Sequence, residues 1–219
     1  MNAKAIIFDL DGTLVESLPG IAQALNLTLA DLGLPAKSDA EVRSYIGDGL
    51  WMLIRRALDP ELFTDAQVDE IQEPFQAHYK AVWKEGTVLF DGVVSLIEKL
   101  NAAGKTVGVL SNKKHPSTVE IVELLLGRDQ VPVIYGQRDG VAKKPEAAPL
   151  LAICEELQLS PQEVCYVGDS TIDLETAKNA GTQGVGVTWG YHDLDALLPY
   201  GFSLCDDMAA LEKELISEL

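Results

Sequence analysis

The sequence predicts an α/β protein: a parallel sheet covered by helices on both faces, with an inserted all-helical cap domain. Three observations carry this reading. From residue 88 onward, short apolar runs alternate with amphipathic stretches of helical length, the pattern of strands joined by crossover helices. A run of the same kind, Ala5 to Phe8, opens the chain. Between them the periodicity is helical for about seventy residues. Residues 1–15 and 86–219 therefore read as one Rossmann-like core and residues 16–85 as a cap over the end of its sheet.

The opening strand stops at two carboxylates, Asp9 and Asp11, followed by Gly12. Pro19 sits in the first turn of the next helix, where a missing N–H costs little. Ile21, Leu25, Leu29 and Leu32 continue that helix, and Gly33 with Pro35 ends it. Ser38 and Glu41 suit a capping box for a short helix to Tyr45. After the loop Gly47-Asp48-Gly49, residues Leu50, Leu53, Ile54, Ala57 and Leu58 mark one apolar helix face. Thr64 or Asp65 starts a helix through Ile71, Phe75 and Tyr79 to Trp83, in which Pro74 predicts a kink or a break.

In the second part, helices are expected at Gly92–Ala103, His115–Leu126, Ala148–Leu157, Thr171–Ala180 and Met208–Leu219. Strands are expected at Lys105–Leu110, Val131–Tyr135, Val164–Val167 and Gly184–Val187, with a weaker one at Phe202–Leu204.

Composition narrows the class. Hydrophobic residues make up 47% of 219, enough for a sizeable core. No window approaches the ~18 uninterrupted apolar residues of a membrane span, and the N-terminal residues do not read as a signal peptide. Cys154, Cys165 and Cys205 are widely spaced in apolar contexts, as expected of buried reduced thiols in a cytoplasmic protein. The formal charge of −17, from 34 acids against 17 Lys and Arg, repels nucleic acid and anionic membrane surfaces. An anionic small-molecule substrate then needs local help from a metal, a lysine and backbone N–H groups. Oligomeric state is not readable from the sequence.

The chemistry-bearing residues stand at equivalent strand ends, which right-handed crossovers bring together. They are Asp9 and Asp11, then Ser111 and Asn112, then Gly168-Asp169-Ser170-Thr171-Ile172-Asp173, with Lys143-Lys144-Pro145 ahead of a helix. Each has an ordinary reading: Asp11-Gly12 as a turn, Asp173 as a helix cap, the lysines as surface charges. Together, four acids with one hydroxyl and one lysine form an oxygen-rich cluster suited to Mg²⁺ and to a phosphate dianion.

Asp9-Leu10-Asp11-Gly12-Thr13, Ser111, Lys144-Pro145 and the Gly168–Asp173 stretch resemble, in order, the four motifs of the haloacid dehalogenase-like superfamily. The resemblance covers essentially the whole chain, including the position of a helical cap. It implies a nucleophilic Asp9 forming an aspartyl-phosphate, and Asp11 as acid for the leaving alcohol and then base for water. It implies phosphoryl binding by Ser111, Asn112 and Lys144. It implies Mg²⁺ at Asp9, Asp11 (through its carbonyl) and Asp169, with Asp173 a ligand or a neighbour of the ligands. The family often has a second proline where this chain has Ala147, which bears on loop stiffness only.

Asp11 argues against dehalogenation, and Thr13 favours phosphatases over phosphosugar mutases within that superfamily. Tyr45–Leu50, Arg56-Ala57-Leu58 and Val187–Tyr191 are similar to the phosphoglycolate phosphatase group. The expected activity is a phosphatase for a small phosphate monoester, 2-phosphoglycolate first. Other phosphosugars, nucleotides or pyrophosphate, a mutase reaction, or a catalytically silent binding protein are the alternatives. Arg55 or Arg56 is the candidate for a second anionic group such as a glycolate carboxylate, though either can also be a solvated arginine.

Overall fold

The computed structural model describes residues 2–216. The chain divides into two compact units, Met1–Leu14 with Leu89–Leu219, and Val15–Val88. It begins with β1 (Ala5–Phe8) and β2 (Val15–Glu16), then α1 (Leu18–Asp31), α2 (Asp39–Tyr45), α3 (Leu50–Ala57) and α4 (Asp65–Gly86). It continues with β3 (Val88–Leu89), α5 (Val93–Ala102), β4 (Thr106–Lys114), α6 (His115–Leu125) and β5 (Val133–Gln137). It ends with α7 (Ala148–Glu156), β6 (Val164–Gly168), α8 (Thr171–Ala180), β7 (Gln183–Val187), α9 (Leu194–Leu197), β8 (Ser203–Cys205) and α10 (Met208–Ile216).

The larger unit is a six-stranded sheet in the order β5-β4-β1-β6-β7-β8, with every pair parallel. The four residues of β1 are all fully buried, as a central parallel strand requires. Ala5 lies opposite both Thr106 and Val164, and Phe8 opposite both Val109 and Val167. The chain moves outward from β1 to β5, returns to β6 beside β1, and moves outward again to β8. That reversal leaves a crevice at the carboxyl ends of the strands flanking β1. Below it, Ala5, Ile7, Leu110, Val133, Val164 and Tyr166 of the sheet pack on Leu150, Ile153 and Cys154 of α7 and on Ala177 and Ala180 of α8.

One departure from the sequence expectation shapes the site. The strand predicted to end at Leu110 runs on to Lys114. Leu110 faces Tyr135 and Lys114 faces Gln137, so four residues of β4 advance against two of β5. The surplus bulges at Ser111–Lys113, and such bulges re-aim side chains. Strands β2 and β3 and helix α9 are too short to leave a periodic signal. They fall where the sequence reading has connections. The terminal helix is seen as Met208–Ile216, and its predicted last three residues lie outside the described residues. Cys154, Cys165 and Cys205 are buried and free. Among the described residues, no helix is long and apolar enough to cross a membrane.

The second unit is helical. Ile21, Leu25 and Leu29 of α1 and Val68, Ile71, Phe75, Tyr79 and Trp83 of α4 are buried, and Phe75 and Tyr79 stack at 6.0 Å. Capping boxes start α2 (Ser38 with Glu41) and α4 (Thr64 with Gln67). Of the kink or break expected at Pro74, the break does not occur, since α4 is continuous over 22 residues. Buried residues on both sides of the proline hold the two halves of the helix, so packing outweighs the one lost backbone bond.

Candidate active site

Asp9 follows β1 directly, and its N–H donates to the Val167 carbonyl at 2.8 Å, which continues the sheet one residue past the strand. Its side chain is buried, with Lys144 Nζ 2.8 Å from Oδ1. Among the described residues, Oδ1 has no donor beyond this ion-pair partner. Burial, and then the charge of Asp173, raise the Asp9 carboxyl to about 7 against the pull of Lys144.

Lys144 is fully buried, unlike a surface lysine, and reaches Asp173 Oδ1 at 2.6 Å as well as Asp9. Burial alone would pull its ammonium down. The Asp173 and Asp9 carboxylates outweigh burial and hold it above the ordinary lysine range. Asn112 fixes the main chain at this point: its Nδ2 donates to the Lys144 carbonyl and its Oδ1 accepts from the Lys144 N–H, both at 3.0 Å.

Asp173 has four donors for its two oxygens. Oδ1 accepts from Lys144 and from the Tyr166 hydroxyl at 3.1 Å. Oδ2 accepts from the Ser170 N–H at 3.0 Å and the Ser170 hydroxyl at 2.6 Å. The last two bonds belong to the capping box of α8, so Asp173 caps its helix and anchors Lys144 at once. Tyr166 also donates to the Leu110 carbonyl at 2.8 Å, one residue before Ser111. Burial, then Asp173 and Asp9, push its phenol well up, so it remains a neutral donor.

Asp169 is held in a clasp. Oδ1 accepts from the Thr13 hydroxyl at 2.9 Å and Oδ2 from the Tyr191 N–H at 2.7 Å. Glycines stand on two sides of it. A Cβ at Gly12 would lie 2.5 Å from Asp169 Oδ2, and one at Gly190 would lie 2.2 Å from Asp169 Cβ. Gly12 also has φ +86°, a conformation few other residues adopt. Trp189 ties the same loop to the first strand, its indole N–H donating to the Thr13 carbonyl at 3.2 Å. Burial, then Asp173 and Asp9, raise the Asp169 carboxyl well above its ordinary range.

The ligand atoms of Asp9, Asp169 and Asp173 lie within 4.8 Å of one another. Three buried carboxylates around one ammonium leave surplus negative charge, and two of them respond by rising toward the neutral form. A divalent cation would relieve this, and an all-oxygen donor set suits a hard one. Asp9 and Asp169 retain lone pairs for it, whereas the four lone-pair positions of Asp173 are filled.

Asp11 and Ser111 stand at the same end of the sheet. The Asp11 carboxylate is held by Lys113, whose Nζ lies 3.0 and 3.1 Å from its two oxygens. Ser111 is buried and its Oγ accepts from the Lys113 N–H at 3.2 Å. Sequence reasoning missed Lys113, Tyr166 and the Asp169 contacts of Thr13 and Tyr191. The available signal for Lys113 was its two-residue spacing from Ser111, which puts both on one face of a regular strand.

The two arginine candidates differ within the helical unit. Arg56 donates to the Tyr45 carbonyl at 3.0 Å and to Asp48 at 2.8 Å, holding the Gly47–Gly49 loop. Arg55 pairs with the exposed Asp65, at 3.6 Å, and its buried Nη1 has no hydrogen-bond partner among the described residues.

Comparison with known proteins agrees with this arrangement. Residues 6–187 match the family model for haloacid dehalogenase-like hydrolases. The phosphoglycolate phosphatase of Salmonella choleraesuis (strain SC-B67) is 34% identical over 90% of this chain and 85% of its own length. A crystal structure described as a predicted phosphoglycolate phosphatase, from Haemophilus somnus 129PT, superposes with a TM-score of 0.90 at 30% identity, over 98% of both chains. A structure from Lactobacillus delbrueckii subsp. bulgaricus shares the fold, with a TM-score of 0.91 over 100% of both chains at 24% identity.

Proposed function

Because this chain belongs to the haloacid dehalogenase-like hydrolase family, we propose that it hydrolyses 2-phosphoglycolate with Mg²⁺ through an aspartyl-phosphate on Asp9. The coarser activity is plain: the chain is a phosphoric monoester hydrolase. The observation that supports the finer reading is the state of Asp9. Its Oδ1 is buried with the Lys144 ammonium as ion-pair partner and, among the described residues, has no other donor, which leaves lone pairs on the carboxylate for phosphorus.

In this reading an Asp9 oxygen attacks phosphorus while the bond to the leaving alcohol breaks, and Asp11 gives that alcohol its proton. The ionised Asp11 then takes a proton from water, which attacks the aspartyl-phosphate, releasing inorganic phosphate and restoring Asp9. Lys144 steadies the charge on Asp9, and Ser111 with neighbouring N–H groups receives the phosphoryl oxygens. Mg²⁺ would be held by Asp9 and Asp169, with the Asp11 carbonyl as a further donor, and would draw charge from the phosphoryl oxygens. Asp173, already saturated by donors, holds Lys144 and leaves the cation to its neighbours.

The core reads phosphate, so the helical unit is assigned the choice among phosphate esters. Of the two candidate arginines, Arg55 is the one with an unmade hydrogen bond for a substrate carboxylate, since Arg56 is engaged by its own loop. Phosphate release from a panel of small phosphate esters, with and without EDTA, tests the proposal. It requires 2-phosphoglycolate to rank first, with activity lost in EDTA and in Asp9→Asn. A different first-ranked ester would overturn the substrate, and activity surviving in EDTA would overturn the metal.

A further inference from the structure

We propose that Lys113 is a positioning residue for the leaving-group step, holding the Asp11 carboxylate in the orientation from which it protonates the departing alcohol. The inference rests on the reading of Asp11 given above.

The pair is built with unusual care for a lysine and an aspartate. Both side chains are nearly out of water, at 10% and 12% exposure. Burying two such charges gains little stability in itself, because lost hydration offsets their attraction. The ammonium contacts both carboxylate oxygens, at 3.0 and 3.1 Å, which fixes the rotation of the group as well as its place.

Lys113 is delivered by the β4 bulge, and the Ser111 hydroxyl pins its N–H at 3.2 Å. The next residue, Lys114, is instead paired with the exposed Asp139. The bulge thus sends one of two consecutive lysines to Asp11 and the other to the surface.

The chemistry gives this placement a purpose. As the phosphorus–oxygen bond to the alcohol breaks and an Asp9–phosphorus bond forms, the Asp11 proton passes to the alcohol oxygen and negative charge returns to Asp11. Lys113 meets that charge already in position, so no reorganisation is needed at that moment.

The test compares two leaving groups by kcat/KM, which reports the first bond-breaking step. Glycolate leaves poorly without a proton, whereas p-nitrophenolate leaves readily without one. Lys113→Met is expected to lower kcat/KM on 2-phosphoglycolate by about a hundredfold and on p-nitrophenyl phosphate by less than about threefold, with Lys113→Arg restoring most of the loss. Equal losses on both substrates, or none on either, would overturn the proposal. Asp11→Asn is measured alongside: if it too loses equally on both, the reading of Asp11 itself is what fails. Should Lys113→Met not fold, Lys113→Gln is read by the same ratio.

Discussion

Lys144 and Asp173 form an ion pair of 2.6 Å whose side chains are 2% and 0% exposed, and the same ammonium reaches Asp9 at 2.8 Å. Removing the Asp173 charge leaves a fully buried ammonium with only one of its two carboxylates, Asp9. Asp173→Asn should therefore destabilise the protein by roughly 3 kcal/mol, from the disrupted pair and the altered cap of α8. Chemical denaturation of the variant and the wild type, at the same pH and metal concentration, measures it.

Stability should depend on pH in the direction set by Asp9. Its folded-state value of about 7 lies above the ordinary 3.8, so in that window the folded protein binds more protons than the unfolded chain. Without metal, stability should be greatest at low pH as far as this group is concerned, and should fall as pH rises through about 7. The raised Asp169 acts in the same direction. Thermal melts in EDTA between pH 5 and 8, set against Asp9→Asn, check the sign, and Asp9→Asn should flatten the decline. Added Mg²⁺ should reverse it, since protons and the cation compete for the same carboxylates.

Metal affinity should respond to the Asp169 clasp. Thr13→Val removes one of its two donors and should weaken Mg²⁺ binding roughly tenfold. Gly190→Ala places a methyl 2.2 Å from Asp169 Cβ and should weaken it more. Calorimetric titration of the metal-free variants reads both without recourse to turnover.

The two arginines should separate by substrate. Arg55→Gln is expected to raise KM for 2-phosphoglycolate about tenfold and to leave p-nitrophenyl phosphate nearly unchanged, the signature of a lost carboxylate contact. Arg56→Gln removes a partly exposed pair with Asp48 and should cost about 1 kcal/mol of stability or less. Initial rates on the two substrates, with a melt for each variant, distinguish these outcomes.

The parallel sheet was legible because the apolar runs of β1, β4 and β6 end abruptly at Asp9, Ser111 and Gly168. The positions of Asp9, Ser111 and Asp169 follow from those endings, whereas Lys144 lies in the connection ahead of α7. The bulge in β4 was not legible, because Ser111-Asn112-Lys113-Lys114 reads as the polar exit from a strand; only pairing with β5 reveals that it remains in the sheet. Pro74 did not break α4 for the opposite reason: a local rule was overridden by buried neighbours distant in sequence. Asp173 posed a false choice between helix cap and site residue, because a carboxylate has enough lone pairs to be both.

The central place of β1 also has a consequence for synthesis. Its four residues leave the ribosome before the strands on either side, which begin at Thr106 and Val164. Thr13 must meet Asp169 across 156 positions, and Trp189 must meet Thr13 across 176. An apolar strand leading into Asp9 therefore waits unpaired until β4 has been made, exposed to aggregation and to chaperones. The contacts that clasp Asp169 and tie Trp189 to Thr13 cannot form until the chain has been made past residue 191.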